Sequence, residues 1–388
     1  MSTILLPTAN RKLTTFKTSE PRNFAERADA PFNRVAYAAA HVVPDIKGNH
    51  DPWVKTAIDW DQTINFRRHL WGLGLGVAEA MDTAQRGMGL DWATSMELVQ
   101  RSVEASRDTP NALLASGAGT DHLEPNQKLK LDDVIHAYEE QCEAVEKAGS
   151  RVILMASRAL ALCATSAEDY GYVYGRVLSQ VREPVIIHWL GEMFDPSLKG
   201  YWGSTHLDEA MASCLDVLKQ NTDKIEGIKI SLLDKNKEIQ LRRRLPAGIR
   251  MYTGDDFNYA ELIAGDEQGY SDALLGIFDA IAPAAAAALT ALAKDKIEQF
   301  HEIFASTVPL SRHIFSTPTR FYKTGVVFMA YLNGHQDHFI MVGGQQSARS
   351  IVHLSEIFKL ADKAGLLTNP ELATERMRRV LAVHGIGA

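Results

Sequence analysis

Apolar and polar positions follow two alternating periods along this chain. Short, almost continuously apolar runs recur from residue 35 onward: VAYAAAHVV (35–43), VAEAMDT (77–83), NALLASGAG (111–119), RVILMAS (151–157), PVIIHWL (184–190), IEGIKIS (225–231), IRMYTGDD (249–256) and YSDALLGIF (270–278). Runs this short, apolar on both faces, are expected of strands covered on both sides, as in a parallel sheet. Between them lie stretches of helical period with start and stop residues. Asp59 and Gln62 resemble a capping box for a helix through Trp71, and Asp91 starts a helix through Met96 and Val103. Leu131 to Ala148 stops at Gly149. Glu168 to Val181 and His206 to Gln220 are helical, and Pro283 opens a long helix reaching about Ala305.

Eight buried strands alternating with helices predict an α/β chain of the (β/α)8 TIM-barrel class over residues 34–306. Residues 307–388 are helical in pattern, with VHLSEIFKLADKAGLL and ELATERMRRVLAVHG, and are expected to pack on the barrel. Residues 1–33 are polar and turn-rich; STILLP and KLTTFKT flank Thr8-Ala9-Asn10, which suits a hairpin or a loose extension. No repeat of solenoid period and no linker rich in Gly, Ser or Pro divides the chain.

Composition narrows the function classes. The net charge is −7 and no basic block stands out, so nucleic acid is not expected as a partner. Cys142, Cys163 and Cys214 lack CxxC spacing, which argues against a disulfide framework or a structural zinc site and fits a reducing cytoplasm. The N-terminal Ile4-Leu5-Leu6 is too short for a signal-peptide core, and no uncharged run is long enough to span a bilayer.

The chemistry is expected around KIEGIKIS (224–231). Alternation places Ile225, Gly227, Lys229 and Ser231 on one face and Glu226, Ile228 and Ile230 on the other. A lysine at the carboxyl end of a buried barrel strand lies where such enzymes keep their sites. Burial disfavours its charged form, and a neutral amine is what attack on a carbonyl requires. The plainer alternative is a lysine that snorkels to solvent or pairs with a carboxylate.

The order of motifs resembles the dihydrodipicolinate synthase and N-acetylneuraminate lyase superfamily of Schiff-base aldolases, over about residues 34 to 380. EGIKIS resembles the family strand that presents the Schiff-base lysine, which falls on Lys229. YTGDD (252–256) resembles the strand that follows. KAGSRVILMAS (147–157) and PVIIHWL resemble the strands around the catalytic tyrosine. The resemblance implies the barrel, an imine on Lys229 with no other cofactor, and a homodimer or homotetramer. Departures are evident. The tyrosine and asparagine that end the family's fifth strand are matched here by His188 and Trp189. No arginine follows in GEMFDP (191–196). The family's Gly-Thr-Thr-Gly cradle reads MDTAQ, keeping Thr83 alone. Its aromatic pair after the fourth strand is replaced by Ser157-Arg158.

Lys229 is therefore the expected nucleophile and His188 the expected proton relay. Asp82, Thr83, Asp121, Ser157, Arg158, Ser231, Asp255 and Asp256 are expected around the substrate, one of the last two aspartates capping the next helix. With carboxylates plentiful and the keto-acid arginine missing, a neutral keto-sugar or sugar-derived ketone is expected to bind better than pyruvate. Arg158 is the residue that could instead hold an acid. Two other readings compete with this lyase of small, sugar-derived carbonyl compounds. A metal-dependent barrel enzyme would draw on His41, His50, Asp51, Asp82, Asp121, His122 and His188, which lack tight ligand spacing. A non-catalytic sensor or scaffold would not need Lys229. The glycines of GLGLG (72–76) precede a strand and read as a helix stop and turn, and GGQQSARS (343–350) reads as a helix start.

Overall fold

The computed structural model describes residues 2–24, 31–124, 126 and 128–387. Eight parallel strands close into a barrel: β3 (Ala36–Ala39), β4 (Gly76–Glu79), β5 (Leu114–Ala118), β6 (Arg151–Leu154), β7 (Val185–Leu190), β8 (Ile225–Ser231), β9 (Arg250–Thr253) and β10 (Asp272–Leu275), with β10 pairing back to β3. Each falls within a predicted apolar run, save that β4 starts one residue ahead of its run at Gly76, and the predicted α/β class holds. Most are shorter than those runs, because the pairing ends where the chain turns toward the carboxyl rim. Ahead of the barrel, β1 (Thr3–Pro7) and β2 (Leu13–Lys17) form an antiparallel hairpin.

The strand faces separate two cores, as the period of two requires. Tyr37, Ala39, Ala78, Ala115, Ile153, Ile186, Tyr252 and Leu274 pack inside the barrel. Ala38, Val77, Val152, Ile187, Ile228, Ile230 and Met251 pack outward in the larger core that includes the surrounding helices. One strand breaks the simple alternation. Ile225 and Gly227 pair with consecutive residues of β7, Val185 and Ile186, so β8 carries a bulge at its start. The bulge sends Ile225 to the outer core with Ile228 and Ile230, not to the face of Lys229 as strict alternation predicts. Above it the phase is as predicted, and Gly227, Lys229 and Ser231 face the interior.

The helix expected from Pro283 to about Ala305 is two helices, Ala282–Ala293 and Ile297–Ile314. Asp295 between them sits in the left-handed region (φ 56), which ends the first helix in Lys294-Asp295-Lys296. The second helix runs through the predicted 306/307 boundary.

The C-terminal segment reaches the carboxyl rim of the barrel. Tyr322 Oη and Thr83 Oγ1 lie 2.8 Å apart, Gln85 Nε2 donates to the Val342 carbonyl at 2.9 Å, and Ser311 donates to the Asp256 carbonyl. Phe194, beyond β7, meets Phe315 and Tyr322 edge-on. Residues after 305 thus form a roof over the end where barrel sites lie. Among the described residues no helix is long and apolar enough to cross a membrane.

Candidate functional site

β7 and β8 lie side by side with His188 opposite Lys229, and Lys229 lies opposite Tyr252 of β9. Both candidate side chains therefore project into the barrel from one level near its carboxyl rim. His188 is fully buried and Lys229 is 7% exposed. The path of the lysine depends on Gly254. A Cβ there would overlap Ser231 Oγ and come within 2.8 Å of Lys229 Cε. The glycine of YTGDD is thus required by close approach, whatever its conformation.

Among the described residues the Lys229 amine has no hydrogen-bond or ion-pair partner. Burial lowers its pKa, and the charges of Asp256 and Asp82 oppose the shift without cancelling it. Asp256 is the reciprocal case. Burial pushes its carboxyl up to about 7, against the Ile277 N–H that Oδ1 accepts at 2.8 Å and the charge of Lys229. The two groups trade charge within one low-dielectric space. Burial, and then the positive charge of Lys229, hold the His188 imidazole well below its ordinary value, so the ring is neutral at pH 7. Its Nε2 lies 3.3 Å from Ser231 Oγ, while its Nδ1 is buried without a partner among the described residues. A buried polar atom left unpaired in this way is costly unless a ligand or water meets it.

A cavity of about 80 Å³ opens over the carboxyl ends of β4 to β7, with Asp82, Arg86, Asp121, Arg158, His188 and Asp195 as its charged and titratable lining. Lys229 lies one strand beyond His188 and is not part of the cavity lining. Asp82 is aimed there by an unusual turn. Ala80 takes φ 51, and its N–H donates to Glu79 Oε1 at 2.9 Å. A left-handed alanine costs roughly 1–2 kcal/mol, and the buried Glu79 holds it in place.

The remaining predicted residues divide by role. Asp255 accepts from the N–H groups of Phe257 and Asn258 at 2.8 and 3.0 Å and closes the turn into the helix Tyr259–Ala264. That leaves Asp256 as the aspartate beside Lys229. Ser157 caps the helix Arg158–Cys163, accepting from Leu160 N–H at 2.9 Å, and its Oγ lies 2.6 Å from that of Thr120. Thr83 is taken up by Tyr322. Asp121 accepts from Arg86 and from Gln141 at 3.0 Å. Burial alone would raise its carboxyl, but Arg86 and these bonds bring it below the ordinary range. Arg158 donates from Nε to Asp195 and lies close against Gly87.

Of the residues considered as metal ligands, His41 pairs with Asp279 at 2.8 Å, His122 lies 2.7 Å from Gln141 Nε2, and Asp51 is exposed in the loop after β3. Among the described residues no three His, Cys, Asp or Glu side chains are arranged to hold a metal ion. The cysteines carry free thiols.

Sequence reading missed Arg86 and Asp195, which line the cavity, and Tyr322 and Lys323, which the C-terminal segment brings to the rim. Arg86 stands next to the MDTAQ departure and Asp195 within GEMFDP, so both were in view as replacements for family motifs. Tyr322 and Lys323 gave no signal. Their helix, Tyr322–Leu332, is buried on every side, so periodicity could not single out a face.

Solved structures with the same fold include YagE of Escherichia coli K12, described as a prophage protein of the dihydrodipicolinic acid synthase family in complex with pyruvate. It is 11% identical with a TM-score of 0.66, over 86% of this chain and 99% of that one. Dihydrodipicolinate synthase from Aquifex aeolicus matches at 11% identity and a TM-score of 0.60, over 91% and 98%. The enzyme from Bacillus clausii matches at 15% and 0.61, over 84% and 96%. At such identities the likeness is one of fold, and it is the fold of the superfamily that the motifs resemble. A comparison with curated proteins finds no match to this sequence. The family model described as "Protein of unknown function (DUF993)" matches residues 4–386, nearly the whole chain, and the protein belongs to that family.

Proposed function

We propose that the protein is a lyase that attacks a small, sugar-derived carbonyl compound with the Lys229 amine and works through a covalent imine. The observation that carries this reading is the lysine itself: enclosed in the barrel at the carboxyl end of β8, with a lowered pKa and without a partner among the described residues. A lysine buried for structural reasons is expected to contact a carboxylate. This one has none in contact among the described residues, and its lowered pKa raises the share of neutral amine that attack on a carbonyl needs.

In the proposed chemistry the nitrogen lone pair adds to the carbonyl carbon, and a proton passes from nitrogen to oxygen to give a carbinolamine. Water then leaves with one further proton, and the iminium remains. Cleavage of the bond beyond the adjacent carbon sends its electrons toward the iminium nitrogen, while a base takes the proton of the hydroxyl on the departing fragment. Asp256, with a pKa of about 7, is matched to such exchanges near neutral pH. Neutral His188, linked to Ser231, is the second candidate for the relay in place of the family's tyrosine. The fold likeness and the motif order support the reading. YagE is described with pyruvate. In this chain the missing arginine and the altered cradle favour a different carbonyl compound.

The test is borohydride trapping with a panel of keto and aldehyde sugars, followed by peptide mass mapping. A reduced adduct is expected on the peptide containing Lys229. No adduct with any member of the panel would favour the sensor or scaffold reading.

A further inference from the structure

Arg86 and Arg158 both reach the cavity, but their donors are spent differently. Arg86 has five N–H groups and five acceptors. Nε and Nη2 face the two Asp121 oxygens, Nη1 faces the carbonyls of Gly117 at 2.7 Å and Ala80 at 3.4 Å, and Nη2 also meets Gln141 Oε1 at 2.7 Å. Nothing is left for a ligand. Arg158 uses only Nε, on Asp195, and among the described residues its two terminal nitrogens have no acceptor. They lie against Gly87, where a Cβ would come within 2.5 Å of Nη1, so this glycine makes room for the guanidinium. Gly87 has φ 69, a second reason for glycine.

The next residue, Met88, meets a second cation. Lys323, brought over the rim by the helix Tyr322–Leu332, is 4% exposed. Its amine has the Met88 sulfur at 3.4 Å, the Arg320 carbonyl at 3.2 Å and the Tyr322 ring at 4.8 Å. Among the described residues it has no carboxylate in ion-pair contact. Burial brings it down to about 8, with Asp82 and Asp195 opposing and Arg158 adding to the fall. A buried amine without a counter-ion at Met88, and a guanidinium with open donors at the adjacent Gly87, form an arrangement that an anion completes.

The geometry points to an oxyanion subsite at Gly87-Met88, in which Arg158 and Lys323 hold a carboxylate or phosphate ester of the substrate remote from its reacting carbonyl. The remoteness follows from strand order and rests on Lys229 being the reacting amine. Gly87, on which the Arg158 guanidinium rests, and Met88 follow β4. Lys229 stands on β8, four strands round the closed barrel of eight, so the two ends lie on opposite sides of the rim. A sugar acid or sugar phosphate has that reach. Pyruvate, with its carboxylate next to the carbonyl, does not.

Calorimetric titration of the full chain with inorganic phosphate and with D-gluconate tests the subsite. Neither probe has a carbonyl that can form an imine, so failure of the Lys229 chemistry and failure of the subsite are separable. At least one probe is expected to bind wild type and Lys229→Ala alike. Arg158→Gln and Lys323→Met are each expected to weaken that binding about tenfold or more. Binding of phosphate alone assigns a phosphate ester, gluconate alone a sugar acid, and both an oxyanion of either kind. In wild type the affinity is expected to fall as pH rises past about 8 and Lys323 loses its charge, a check that needs no variant. Absence of binding by both probes, or binding that either variant leaves unchanged, overturns the subsite.

Discussion

Arg67 and Glu79 are buried at least as deeply as Lys229 and Asp256, yet the two pairs are built in opposite ways. Arg67, from the helix Trp60–Gly72, grips Glu79 with Nε at 2.9 Å and Nη2 at 2.8 Å and spends Nη1 on the carbonyls of His41 and Thr63. Glu79 also accepts from Ser102 and from the Ala80 N–H. Both side chains are fully enclosed, and their charges are matched by geometry. Inside the barrel, Lys229 and Asp256 influence each other's titration with no ion-pair contact between them, and His188 keeps an unpaired nitrogen. The difference separates a charge pair that fixes structure from charges kept available for chemistry. A closed pair holds its side chains in place, whereas an open one leaves groups free to exchange protons.

The sharpest way to break the comparison is to remove each lysine or acid in turn. Lys229→Ala and Lys229→Arg are expected to abolish the borohydride adduct and turnover. The alanine variant should unfold at the same temperature as wild type or higher, because a buried polar group without a partner is gone. A trapped adduct in either variant would place the reacting amine elsewhere. Glu79→Gln should do the reverse, costing about 3–5 kcal/mol by leaving Arg67 buried without its counter-charge. The folded fraction should still form the adduct. Denaturant unfolding together with intact-mass measurement checks both halves.

His188→Phe should lower the rate of adduct formation by roughly 10²-fold or more, the range of a lost proton relay, with little change in substrate affinity. A rate within about twofold of wild type would assign the relay to Asp256 alone. Asp256 also supplies a pH signature. Its carboxyl titrates near 3.8 in the unfolded chain and about 7 in the fold. Between those values the native state holds the extra proton, so this group's contribution to stability falls as pH rises through the window and levels off above it. Asp256→Asn retains an oxygen for the Ile277 N–H and should flatten that slope in unfolding midpoints measured from about pH 4.5 to 7. The smallest effect concerns pyruvate: with borohydride at millimolar concentration, it should leave most of the protein unmodified. A full-occupancy adduct on Lys229 would return the chain to keto-acid chemistry.

Much of the wall of the site was legible in the sequence because strands write their faces locally. Lys229, His188 and Ser231 were placed correctly by a period of two. The same rule failed at Ile225, where a bulge set by pairing with β7 shifts the phase. The order GIKIS then YTGDD located Asp255 and Asp256. The expectation that one of them caps the next helix did not hold: Asn258 stands at the N-cap with no side-chain cap bond, and Asp255 instead closes the loop after β9 by accepting from the N–H groups of Phe257 and Asn258. Ser157 and Thr83 were drawn into caps and roof contacts because a hydroxyl takes whichever partner folding brings nearest.

By itself, the sequence determined the eightfold alternation, the closed parallel barrel and the level at which Lys229 and His188 stand. Each of these follows from local periodicity and from the need to cover both faces of a strand. Only the tertiary structure decided that the C-terminal segment roofs the carboxyl rim, that Arg86 is saturated while Arg158 is open, and that Lys323 arrives at Met88, adjacent to the Gly87 on which Arg158 rests, from 165 residues further along the chain than Arg158. Those outcomes depend on which donors and acceptors meet across distant segments. Burial and unpaired hydrogen-bonding capacity are properties of the assembled fold, and no pattern within a single helix or strand encodes them.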